Sequence, residues 1–306
     1  MNQFLQQLIN GLSLGSIYAL IALGYTMVYG VLRFINFAHG DVFMLGAYVG
    51  LYSGRYLSGK MQAEPSILLA VSVLAISMVV CAIVGVVIER LAYAPLRSRP
   101  RLTVLITAIG VSLFLEYGGQ QFFGAGPHFF EQILPSYELH TGALSITSNQ
   151  LVVLSVTVVL LIALTFVVLK TKMGTAMRAL SFNPTAASLM GINNNVIISF
   201  TFGLGSALAA AAGILWAVNY PSINPLMGLL PGIKAFVAAV LGGIGNIPGA
   251  ALGGLILGVT ETLVVGYSDR LHIPPSYRDA VAFVVLIVIL LFKPSGLLGK
   301  STSEKV

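Results

Sequence analysis

Four side chains able to carry or share protons, Arg33, Asn36, His39 and Asp41, crowd into "RFINFAHGDVFMLGAY" (33–48), between two apolar runs long enough to cross a membrane. A second polar break, "GGIGNIPGAALGGLILG" (242–258), carries Asn246, and two carboxylates, Glu116 and Glu261, stand inside apolar runs themselves. An ionisable group at the centre of a bilayer costs about 2.5–3.5 kcal/mol or more, so by default it faces the bundle interior or a water-filled cavity. The chemistry open to such a set is passage: hydrogen bonding to a solute, gating, or pairing of buried charges. Asn36, His39, Asp41, Glu116, Asn246 and Glu261 are therefore candidates for lining or gating a path. Lys234, near the same level as the two glutamates, is the candidate counter-ion. The competing reading makes Asn36 or Asp41 a cap for the following helix and the glutamates members of structural ion pairs.

Other chemistry finds no support. His39 has no His, Cys or carboxylate at ligand spacing, so no metal site is expected. "PSGLLGKS" (294–301) ends like a phosphate-binding loop, but Pro294 replaces the first glycine and no strand precedes it. "GGIGNIPG" puts Pro248 where a dinucleotide fingerprint needs its third glycine. No HExxH, CxxC or G-x-S-x-G motif occurs, and the lone cysteine, Cys81, lies in an apolar run and suits packing. The sequence predicts a non-enzyme that binds no cofactor or metal of its own.

The elements that hold these residues follow from composition. The 306 residues are 57% hydrophobic and only 8% charged, with a mean hydropathy of +0.93, whereas a soluble domain carries about a quarter charged residues. The chain is an integral membrane protein, read as a single transmembrane unit over 1–306. Its net charge of +6 reflects loop residues that set orientation and does not point to nucleic acid. Candidate spans are 8–32, 41–58, 67–88, 102–123, 151–169, 196–218, 226–244, 249–267 and 276–293, most near the ~20 residues a crossing needs. Pro231 and a glycine cluster interrupt 226–244, and 276–293 is apolar only over 280–292. The first run lacks a basic flank and a cleavage site, so it reads as a retained span.

Arg90, Arg97, Arg99 and Arg101, then Lys170, Lys172 and Arg178, then Lys293, Lys300 and Lys305 mark three basic segments, while the loop 124–150 has no Lys or Arg. The positive-inside rule places 89–101, 170–195 and the C-terminus in the cytoplasm, and 124–150 with the N-terminus outside. Gly11 and Gly15, Gly46 and Gly50, Gly249 and Gly253, and Gly254 and Gly258 are each four apart, a spacing that lets helix backbones approach closely in lipid. The two polar breaks sit at corresponding places after inward spans. That similarity predicts broken helices and a weak parallel internal repeat, with halves related by an axis along the membrane normal.

No nucleotide site exists, and the middle thirds of the spans are nearly free of charge, so a partner ATPase is the expected power source. The loop 170–195, "GTAMRALSFNPTAASLMGINNN" at its centre, suits docking. Asn183 before Pro184 predicts a helix start, and Gly191 a stop.

"NGLSLGSIYALIALGYTMVYGVLRFINFAHGDVFMLGAY", "AASLMGIN" and "GIKAFVAAVLGGIGNIPGAALGGLILGVTETL" together resemble the LivH-type permeases of bacterial branched-chain amino acid ABC transporters, over nearly the whole chain. The resemblance implies an all-α polytopic bundle of about nine spans, of the type shared with ribose and vitamin B12 importers, in the bacterial inner membrane. It implies a second, LivM-like permease, two cytoplasmic ATPases holding ATP and Mg, and a periplasmic binding protein delivering leucine, isoleucine or valine. It maps an ATPase-coupling helix onto Arg178, Asn183, Ala186, Ala187, Gly191 and Ile192, and the family's "NFAHG" segment onto Asn36 through Gly40. Related permeases carry urea, short amides or other amino acids. From other classes, a stand-alone channel for a small neutral solute and an ion-coupled carrier are the alternatives.

Overall fold

The structure, a computed structural model, describes residues 2–61, 64–97, 99–135, 137–141, 144–272 and 274–299. The tail lysines Lys300 and Lys305 lie outside the described residues. The chain forms α1 (Asn2–Leu32), α2 (His39–Met61), α3 (Ile67–Ile88), α4 (Arg101–Phe123), α5 (Ser148–Lys170), α6 (Lys172–Phe182), α7 (Pro184–Leu189), α8 (Asn194–Asn219), α9 (Leu229–Gly242), α10 (Ile247–Gly266), α11 (Ser268–Leu271) and α12 (Arg278–Phe292). Four short strands are β1 (His128–Phe129), β2 (Glu138–Thr141), β3 (Leu144–Thr147) and β4 (Ser222–Ile223). β2 and β3 make a hairpin, and β1 pairs antiparallel with β4 at the same face of the bundle.

Among the described residues, seven helices are long and apolar enough to cross a membrane: α1, α3 with its continuation to Leu96, α4, α5, α8, α10 and α12 with its preceding turn. The other two predicted spans are α2 and α9. α2 has the length, but Asp41, Arg55 and Lys60 lower its apolar content. α9 has only 14 residues, about 20 Å at 1.5 Å per residue, short of the ~30 Å hydrocarbon core. Pro231 lies in its first turn, where a missing N–H costs nothing.

α1 and α8 form the buried axis. Residues Ser13 to Val28 of α1 are all buried. Glycine makes this possible, and the four-residue spacings find each other. On α1·α10, a methyl at Gly15 would lie 2.8 Å from the Leu255 Cα, and one at Gly258 would strike the Gly15 backbone. Gly46 meets Ala210 and Gly50 meets Ile214 on α8, while Gly249 meets Gly242 and Gly253 meets Ala238 on α9.

The contacts correct the expected parallel repeat. α1 packs chiefly on α10, as α8 packs on α3; α2 lies against α8 and α3, as α9 lies against α1 and α10; α2 touches α4 as α9 touches α12. The series α1–α4 thus matches α8, α9, α10 and α12. Five crossings, α1 to α5, separate the two starts, so the series begin on opposite faces and the repeat is inverted. The partner of the first polar break is 221–228, not 242–258. Ile35, Asn36 and Gly40 recur as Ile223, Asn224 and Gly228. Gly40 and Gly228 touch: a methyl on Gly40 would lie 2.6 Å from the Gly228 carbonyl oxygen. The helices α2 and α9 therefore start against each other inside the bundle.

Candidate translocation and coupling sites

The first polar break is not a surface turn. His39 and Asp41 are buried in the first turn of α2. Asp41 Oδ2 accepts from Ser112 Oγ at 2.5 Å, and Ser112 is at the midpoint of α4, so α2 starts near the middle of the membrane. Glu116, one turn further along α4, is buried within side-chain reach of Asp41. No ion pair to either forms among the described residues. The His39 ring wedges into the notch where Gly24 of α1 meets Gly205 of α8, edge-on to Tyr25 with ring centroids 4.7 Å apart. Asn36 caps nothing. Its Oδ1 accepts from Tyr93 Oη at 2.6 Å, tying the re-entrant segment to a single π-helical turn, Glu89–Tyr93, that extends α3.

The two glutamates separate. Lys234 on α9 is buried and pairs with Glu261 on α10 at 2.9 Å and with Asp279 on α12 at 2.6 Å. Tyr18 of α1 donates to Glu261 Oε2 at 3.1 Å. Glu116 has no part in this network. Asn246 is a helix cap: its Oδ1 accepts from Gly249 N at 3.2 Å and its Nδ2 donates to the Leu298 carbonyl at 2.7 Å. Of the six path candidates, only Asp41 and Glu116 lie within side-chain reach of each other.

A cluster absent from the candidates lies toward the face of the α6–α7 segment. Glu89 is fully buried, paired with Arg97 and accepting from Ser199 Oγ of α8 at 2.6 Å. Arg97 also donates to Asn195 Oδ1 at 2.6 Å, and partial burial lowers its guanidinium from the ordinary value. A lone Glu at the end of an apolar run, eight residues before an Arg, is the signal the sequence carries for this cluster.

The α6–α7 segment is an exposed elbow. Thr171 caps α6 through Gly174 N at 3.1 Å. Asn183 caps α7 through Ala186 N at 3.0 Å, with Pro184 at its first position. Gly191 stops the segment at φ +81°, a conformation that favours glycine. Asn183, Ala186 and Gly191 face solvent, whereas Ala187 is buried and Ile192 packs on the core. Arg178 turns back to the Val168 carbonyl at the end of α5, so it braces the elbow. The largest exposed apolar side chains here were not among the candidates: Phe182 at 89%, Leu189 at 83% and Met190 at 82%. Arg33, held at φ +55°, donates to the Ser181 carbonyl at 3.3 Å and links the elbow to the re-entrant segment.

Comparison with known proteins finds a family model described as "Branched-chain amino acid transport system / permease component" matching residues 7–290. The high-affinity branched-chain amino acid transport system permease protein BraD of Pseudomonas aeruginosa is 44% identical over 99% of this chain and 98% of its own length. LivH of Escherichia coli is 44% identical with the same coverage. LivH of Salmonella typhimurium is 42% identical, again over 99% and 98%.

Proposed function

We propose, because this chain belongs to the permease-component family of branched-chain amino acid transport systems, that it is one membrane subunit of an inner-membrane ABC importer carrying leucine, isoleucine and valine into the cytoplasm. A second permease would complete the conduit, two ATPases holding ATP and Mg would power it, and a binding protein would deliver the solute. The basic face bearing α6 and α7 is cytoplasmic in this reading, and the N-terminus is outside. The observation that carries it is the elbow: a short, doubly capped helix with Phe182, Leu189 and Met190 bare on the basic face, cross-braced to the re-entrant segment by Arg33. Such an elbow can transmit a push from an ATPase to the re-entrant segment that leads into α2.

A channel formed by this chain alone is disfavoured, because the close-packed α1 and α8 fill the centre of the bundle. The test is reconstitution. The complete complex should accumulate leucine in proteoliposomes only with ATP and binding protein. Leucine flux through this chain alone, or uptake driven by a proton or sodium gradient without ATP, would overturn the reading. Family members that move urea or short amides remain distinguishable by the ligand their binding protein holds.

A further inference from the structure

A cavity of about 510 Å³ opens between the first turns of α1, the start of α5, and the ends of α8 and α10, with Arg278 at the start of α12 on its wall. It lies on the face opposite the elbow. Its size falls in the range of small-molecule sites, about 300–1,000 Å³, but its walls are unusually polar. Asn10, Gln150 and Asn219 present amides, and the few apolar surfaces include Leu14 and Val265. The amides are already ordered: Gln150 Nε2 donates to Asn10 Oδ1 at 2.9 Å, and Asn219 Nδ2 to Ser13 Oγ at 3.4 Å. Glu261 contributes a buried carboxylate held by Tyr18 and Lys234. Arg278 contributes a half-exposed guanidinium whose contact to Asp279 is loose, at 3.5 Å. Lys234 and Arg278 balance Glu261 and Asp279 in formal charge, so an occupant with net charge would leave the site unbalanced.

We propose that this cavity is a receiving site for the zwitterionic head of a free α-amino acid. Arg278 takes the carboxylate in a bidentate grip, and the ammonium lies against Glu261 and the Asn219 amide oxygen. The walls read the backbone shared by all α-amino acids. Branched side chains are not distinguished here, since Leu14 and Val265 are the aliphatic side chains of a wall that is open to solvent and closes no pocket around a side chain. The assignment rests on the importer reading above and places one station of that transport inside this subunit.

The test uses the complete complex in lipid nanodiscs without binding protein. Val265→Cys places a thiol on the cavity wall, while the native Cys81 is buried and slow to react. Its labelling by a methanethiosulfonate reagent is timed with increasing leucine. A ligand at about ten times its Kd leaves roughly a tenth of the sites free, so labelling should slow about tenfold. Alanine should protect as leucine does. Leucinamide, which lacks the carboxylate, and 4-methylpentanoate, which lacks the amine, should not. Arg278→Gln should abolish protection without changing the unprotected rate, and Arg278→Lys should retain part of it. Leucine that fails to protect at tens of millimolar overturns the assignment, as does protection by leucine but not alanine. A labelling rate set by the phosphatidylethanolamine content of the nanodisc, and not by amino acid, overturns it in favour of a lipid headgroup. Leucine uptake by the same preparation with its binding protein reads the importer function separately, so a failed site and a failed function give different results.

Discussion

Lys234 shows what one buried charge does in this bundle. It pairs with two carboxylates, Glu261 and Asp279, so that the three charges join three different helices. Removing one member of a buried pair leaves its partner uncompensated and costs about 3–5 kcal/mol. Lys234→Met should therefore lower the melting temperature of the purified permease sharply, and Lys234→Met combined with Glu261→Gln should recover much of the loss. Equal melting of the single and double variants would contradict this. His39 offers a second test. A methyl on Gly24 would overlap the His39 imidazole, so Gly24→Ala should abolish the folded, monodisperse species in size-exclusion chromatography, and adding His39→Ala should restore it. Residue-scale legibility was uneven. Lys234 and Glu261 could be paired from the sequence, because a charge in lipid demands a partner. Glu116 found Asp41, a carboxyl rather than a cation, because a contact between distant helices leaves no mark on either local pattern. Asn36 has a capper's chemistry, and only the packing of Tyr93 diverts it.

At the scale of elements, α7 was readable because caps are local. Asn183, Pro184 and Gly191 mark its limits in the sequence and in the structure alike. Asn183→Ala should weaken the start of α7 by about 1 kcal/mol, visible as faster amide exchange at Ala186. Its docking residues were not readable, since an apolar side chain looks the same in sequence whether buried or bare. Phe182→Asp and Ala186→Trp should leave ATP hydrolysis by the complex running while uptake falls, measured as the ratio of solute moved to ATP consumed. An unchanged ratio in both would remove the elbow from the coupling route. The π-helical turn Glu89–Tyr93 was likewise invisible, because an inserted residue in a helix is set by tertiary contacts such as those of Glu89 and Tyr93.

For the whole molecule, composition gave the class and the run lengths gave the spans, since lipid leaves the chain few choices. The repeat was not legible in composition. Polar breaks alike in composition do not correspond, and the correspondence is carried by Ile-Asn-x-x-x-Gly, repeated at 35–40 and 223–228. Inversion puts Gly40 and Gly228 face to face, each filling the space a side chain would need. Gly40→Ala and Gly228→Ala should be matched in effect, each giving inserted protein with strongly reduced uptake, and the pair together should be little worse than either. Additive losses in the uptake assay would show that the two glycines act independently.

The sealed α1–α8 axis also bears on the life of the chain before assembly. A newly inserted copy that waits for its partners already has the Ser13–Val28 stretch of α1 covered by its own helices. The helix that carries most of the core therefore does not rely on a partner subunit for its cover.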